Sequence, residues 1–102
     1  MDINITSIHF NADSKLETFI KEKVSKLKQF NEELLGADIT LSLDRPAGKN
    51  FNSKTVKLKI QSKGYDFFAE KKSESFEAAT DSTIEAIRSQ ILKRKEKIMK
   101  KN

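Results

Sequence analysis

Hydrophobic and polar positions alternate at the start of the chain. Ile3 and Ile5 are separated by Asn4 and Thr6, the period of a short strand with one apolar face. The period then lengthens: Leu16, Phe19, Ile20, Val24, Leu27 and Phe30 recur at helical spacing and make one stripe. Ser14 stands three residues before Glu17, the spacing of a capping box. A helix is therefore expected from about Lys15 to about Phe30 or slightly beyond, with Gly36 as its stop. His9, between strand and helix, reads as a turn residue. Alternation returns at Ala37, Ile39, Leu41 and Leu43, set against Asp38, Thr40, Ser42 and Asp44. It returns again at Val56, Leu58 and Ile60, set against Lys57, Lys59 and Gln61. Between these strands RPAGKNFNSK, residues 45–54, reads as a loop. Lys63-Gly64 is a tight-turn candidate. YDFFAE, residues 65–70, then reads as a fourth strand with Tyr65, Phe67 and Ala69 on one face.

The last element is the longest. Phe76, Thr80, Ile84, Ile87, Ile91 and Ile98 track one face of a second helix, expected from about Ser73 to about Met99. Glu74 and Glu77 stand near its start, where the helix dipole favours acids. At about 1.5 Å per residue this helix outruns any strand of the sheet, so its final turns should overhang. Beyond Ile91 the core-facing positions include Arg94 and Lys95, which a buried face would not take unpaired.

The element order is β-α-β-β-β-α. The first helix is long enough to join two parallel strands, and the later strands pair as hairpins. Strands two and three have polar outer faces, so both helices must cover the same side. The expected fold is α+β: a single four-stranded sheet with two helices packed on one face. A chain of 102 residues fits one domain, 1–102. No apolar run reaches membrane-span length, and MDINITSIHF lacks the layout of a secretory signal, so a cytoplasmic protein is expected.

Net charge is +5, and its placement matters more than its size. Residues 88–102 hold seven bases and one acid, whereas residues 1–87 hold 13 bases and 14 acids. Bases near a helix C-terminus are favoured by the dipole, but only within the last turn. Here they begin at Arg88, about three turns from the end. Such crowded like charges repel one another unless something anionic relieves them, and phosphate is the natural partner. On the first helix Lys23 and Lys26 flank the apolar stripe on one side, Lys21 and Lys28 on the other. With the helices side by side, one lysine flank should border the second helix and form a positive groove.

Catalysis has little support. His9 is the only histidine and cysteine is absent, so no metal site, cofactor or nucleophile–base pair is expected. Asp13 and Glu17 fit first-turn acids better than a catalytic pair. No base-reading helix and no stacking set of exposed aromatics stands out. That combination favours recognition of structured RNA through phosphate and shape.

Several stretches resemble the ribosome hibernation-promoting factors, also called ribosome-associated inhibitors. INITSIHF looks like the opening strand of that family. LETFIKEKVSKLKQF resembles its first helix, with Lys23, Lys26 and Leu27 on the K-x-x-K-L pattern. FEAATDSTIEAIRSQILKRKEKI resembles its second helix: Ala78, Ala79 and Asp81 match A-A-x-D, Gln90 matches a recurring glutamine, and Lys93, Lys95 and Lys97 match recurring bases. The resemblance implies binding to the small ribosomal subunit in the tRNA and mRNA channel, with basic helix surfaces on rRNA. It implies translation inhibition and preservation of idle ribosomes under stress, by steric and electrostatic means. The family's D-M-Y is Ser75-Phe76-Glu77 here, and Ala86 and Ser89 stand where bases are common. Expected rRNA contacts are therefore Lys23, Lys26, Arg88, Lys93, Arg94, Lys95 and Lys97, weighted toward the last four. The chain looks like the short form of the family, monomeric off the ribosome, with no membrane or small-molecule partner.

Two alternatives stay open. KKSESFEAATDSTIEAI also resembles the start of the last helix of a double-stranded RNA-binding domain, although the first strand and RPAGKN do not fit that domain. A protein-binding adaptor would instead present its basic end to an acidic partner.

Overall fold

The computed structural model describes residues 1–43 and 54–99, with side chains up to Lys97. Strand β1 (Asp2–Ile8) lies parallel to β2 (Leu34–Leu43), and helix α1 (Ser14–Ser25) makes the crossover that parallel pairing requires. β2 pairs antiparallel with β3 (Lys54–Ser62), and β3 with β4 (Tyr65–Ser73). The sheet order is β1-β2-β3-β4, and α2 (Phe76–Met99) follows. This is the expected α+β order, with both helices on one face. Of the expected loop 45–54, only Lys54 lies within the described residues, and it opens β3.

Alternation explains the layers. Ala37, Ile39 and Leu41 from β2, Val56, Leu58 and Ile60 from β3, and Phe67 and Ala69 from β4 are buried under the helices. Ile20, Val24 and Leu27 meet them from the first helical segment, and Phe76, Ala79, Ile87 and Ile91 from α2. The other sheet face is mostly polar, with Phe68 exposed on it opposite Lys59. There Asp38 accepts from Asn4 Nδ2 at 3.2 Å and from Gln61 Nε2 at 2.7 Å, and Lys59 lies 3.8 Å from Asp66.

Four boundaries differ from expectation, each for a local reason. The cap of α1 is Asp13, not Ser14: Asp13 has extended backbone, and its carboxylate accepts from Leu16 N at 2.8 Å. Ser14 already occupies the first helical position. The α-helix then tightens after Ser25 into a 3₁₀ segment, Lys26–Gln29, which closes with Phe30 N donating to Leu27 O at 3.0 Å. Asn31 turns the chain by accepting from Glu33 N at 2.9 Å, so β2 begins at Leu34 and not Ala37.

Gly36 is therefore not a helix stop; it sits inside β2 beside a bulge that leaves Leu35 exposed. A Cβ at Gly36 would meet Gln61 Oε1 at 2.9 Å and the Asp2 carbonyl oxygen at 3.2 Å. The Gln61 amide can swing aside, but the Asp2 carbonyl is backbone and would have to give by a few tenths of an ångström, so the close approach of β1 favours glycine there. Finally, β4 runs to Ser73 because Lys71, Lys72 and Ser73 pair with Val56, Thr55 and Lys54. α2 consequently starts at Phe76, where Ser75 Oγ accepts from Ala78 N at 3.0 Å. The turn at Lys63-Gly64 is as expected, with Gly64 at φ +79°, and His9 turns the chain at φ +71°.

Candidate nucleic-acid interface

The geometry of α2 against β4 sets up the basic surface. The helix runs back along the strand it follows. Gln90 sits beside Phe68, donating from Nε2 to its carbonyl at 2.7 Å and accepting from its N–H at 3.3 Å. One turn later Arg94 covers Tyr65, the first residue of β4, with its guanidinium carbon 3.6 Å from the ring centroid. The strand ends there and the helix does not. Ile91 is the last buried position among the described side chains, Leu92 is 38% exposed, and Lys93, Lys95, Glu96 and Lys97 face solvent. The expected overhang is present because 24 helical residues span about 36 Å while nine strand residues span about 30 Å.

The expected contact residues fall into two groups. Lys93, Arg94, Lys95 and Lys97 come together at the overhang. Lys93, Arg94 and Lys97 line a cleft of about 480 Å³ with Tyr65, Gln90 and Glu96. Lys95 lies on the opposite flank, beside Asn31, Glu33 and Lys63. Lys23, Lys26 and Arg88 sit further back. Lys23 does border α2, but its ammonium lies 3.5 Å from Asp81 and 5.5 Å from the Phe19 ring centroid. Arg88 lies 3.6 Å from Glu85 and 5.2 Å from the Phe30 ring centroid. Lys26 is exposed in the 3₁₀ segment. The groove between the helices is thus a line of exposed ion pairs, not a uniformly positive trough. Such pairs add little stability but do lower the local positive field.

Sequence reasoning does not reach the roles of four residues, Asp81, Glu85, Gln90 and Tyr65. Asp81 and Glu85 neutralise the helix groove; they are visible as i, i+4 acids, but the reach of Asp81 to α1 is not. Gln90 matches a motif, and the structure gives it a mechanical part: it pins the outer edge of β4 to α2. Tyr65 is expected on the inner face of β4, yet it lies beyond the core and supports Arg94. No sequence signal pairs residues 29 positions apart across a helix–strand contact.

Among the described residues, no group of His, Cys, Asp or Glu comes together in a way that could hold a metal. Nor is any of their helices long and apolar enough to cross a membrane.

Comparison with known proteins places the fold. The model of the family described as sigma 54 modulation protein / S30EA ribosomal protein matches residues 3–99. The chain belongs to this ribosome-associated family. That agrees with the resemblance carried by the two helix motifs and the opening strand. No curated protein matches the chain in sequence. Among solved structures, the Protein Y N-terminal domain of Thermus thermophilus is similar with a TM-score of 0.75 and 20% identity, over 89% of this chain and 96% of that one. A ribosomal subunit interface protein from Coxiella burnetii is similar with a TM-score of 0.80 and 18% identity, over 94% of this chain and 99% of that one. At these identities the two structures speak for the family fold, a four-stranded sheet under two helices.

Proposed function

We propose that this chain binds the small ribosomal subunit in the channel used by tRNA and mRNA, and so inhibits translation and preserves idle ribosomes. The observation that carries this reading is the overhang of α2. Lys93 stands level with the Tyr65 end of β4, and Lys95 and Lys97 continue past it on the same helix, with Glu96 as the only intervening acid. A rigid rod of cations of this kind suits a phosphate-lined channel, because little ordering entropy remains to be lost on binding. The reading also draws on family membership and on the Coxiella relative, whose name places that protein at a ribosomal subunit interface. Lys23, Lys26 and Arg88 form the rearward part of the same surface. The mechanism is occupation: the folded domain fills space that tRNA or mRNA needs, and its cations replace counterions on rRNA. It calls for no catalysis and no cofactor. It operates in the cytoplasm, with the chain monomeric off the ribosome.

Sedimentation with ribosomes through a sucrose gradient, at low and high salt, tests the proposal alongside a translation assay. The expected result is co-migration with the small subunit at low salt, release at high salt, and arrested translation. An RNA duplex of about 16 base pairs is the control ligand for the double-stranded RNA reading. Tight duplex binding without ribosome binding would reverse the order of the two. An adaptor for an acidic protein would keep its partner after nuclease treatment.

A further inference from the structure

We propose that the cleft between the start of β4 and the last turns of α2 is a phosphodiester site, with Arg94 as its anion-binding group and Tyr65 as the residue that positions it. The proposal rests on the ribosome-binding reading and names the chemistry by which one part of that surface takes RNA.

The two arginines of the described residues are held differently. Arg88 faces the Glu85 carboxylate at 3.6 Å. Arg94 makes no ion pair among the described residues; its guanidinium lies on the Tyr65 ring at 3.6 Å, close enough for parallel stacking. Stacking covers one face of a guanidinium and leaves its N–H edges free, and those edges match two phosphate oxygens at once. The support beneath is firm. Tyr65 packs edge-on against Phe67 at 5.0 Å, Phe67 is buried, and the Ser62 hydroxyl donates to the Tyr65 carbonyl. Gln90, one turn before Arg94, ties α2 to β4 through both atoms of its amide, which keeps helix and strand in register. Arg94 is therefore already ordered, and binding costs it less rotamer entropy than a free surface arginine would lose.

The rest of the cleft decides between phosphate and base. Lys93 and Lys97 lie one turn apart on its wall, and Glu96 is its one carboxylate. The guanidinium already occupies one face of Tyr65, and three cations stand in the cleft against one carboxylate, a balance that suits phosphate.

The test uses the full chain and the variants R94K, Y65L and Y65F. Lysine keeps the charge and loses the fork, so R94K should weaken ribosome co-sedimentation by about tenfold. Y65L should weaken it several-fold while the protein stays folded by circular dichroism, and Y65F, which keeps the ring and its packing on Phe67, should restore it. If the unsubstituted chain binds ribosomes and R94K and Y65L bind equally well, the cleft proposal is overturned while the ribosome reading stands. A second readout needs no ribosome: the Arg94 Nε–Hε resonance of ¹⁵N-labelled protein, titrated with a short single-stranded RNA. A saturable shift that Y65L diminishes supports the site even if ribosome binding fails. An unmoved Arg94 signal at RNA concentrations that shift Lys93 and Lys97 overturns it.

Discussion

From Phe76 to Ile87, helix α2 buries Phe76, Ala79, Thr80, Thr83 and Ile87, and its charged residues are the acids Glu77, Asp81 and Glu85. From Arg88 to Met99 it carries five bases and one acid, and the only described side chain it buries fully is Ile91. One continuous helix thus has an anchored, acidic half and a projecting, basic half. Only Glu77 in the first turn and Lys97 in the last lie where the macrodipole acts, so it does not explain the rest of the split. The dipole does not explain why the basic half leaves the sheet. That follows from length, and it separates two demands that conflict on one surface: hydrophobic burial needs a dry face, whereas phosphate recognition needs cations in solvent.

The sharpest break of this comparison is reversal of the overhang charges. With Lys93, Lys95 and Lys97 all changed to Glu, ribosome affinity should fall by more than about 100-fold. The salt dependence should flatten by about one unit of slope for each phosphate no longer neutralised. The thermal melting temperature should stay within a few degrees, because these side chains touch no core. Retained co-sedimentation would remove the overhang from the binding surface.

The anchored half should respond in the opposite way. Ile87→Ala deletes a fully buried side chain and should cost about 2–5 kcal/mol in urea unfolding. Leu92→Ala, further along the helix and 38% exposed, should cost less than about 1 kcal/mol. Equal costs would mean that the projecting half packs as tightly as the anchored one. Gln90 marks the junction. Gln90→Ala removes both hydrogen bonds to Phe68 and should cost about 1–2 kcal/mol. It also unpins the outer edge of β4, so size-exclusion chromatography at high concentration should reveal more self-association.

The smallest effect is expected in the helix groove. Asp81→Asn frees Lys23 from its exposed partner and should change stability by no more than about 0.5 kcal/mol. Ribosome affinity should rise about two- to fivefold as the local field becomes more positive. Weakened binding would instead mean that the Lys23–Asp81 pair orients the lysine for rRNA.

Periodicity alone determined the strands, the two helices, their order and the face they share, because apolar spacing reports directly on which residues leave water. It also located the basic end, since charge density needs no folding to be counted. The cap of α1 was one residue off: Ser14 and Asp13 are both good caps, and only backbone geometry chooses between them. Gly36 looked like a helix stop because glycine serves helix ends and crowded strands alike, and the crowding comes from Asp2 and Gln61, distant in sequence. The pairing of Lys23 with Asp81, the hold of Gln90 on Phe68 and the stacking of Arg94 on Tyr65 were settled only by tertiary structure. Each joins side chains whose separation along the chain follows no period, and each depends on how far one element slides along another before its core is filled.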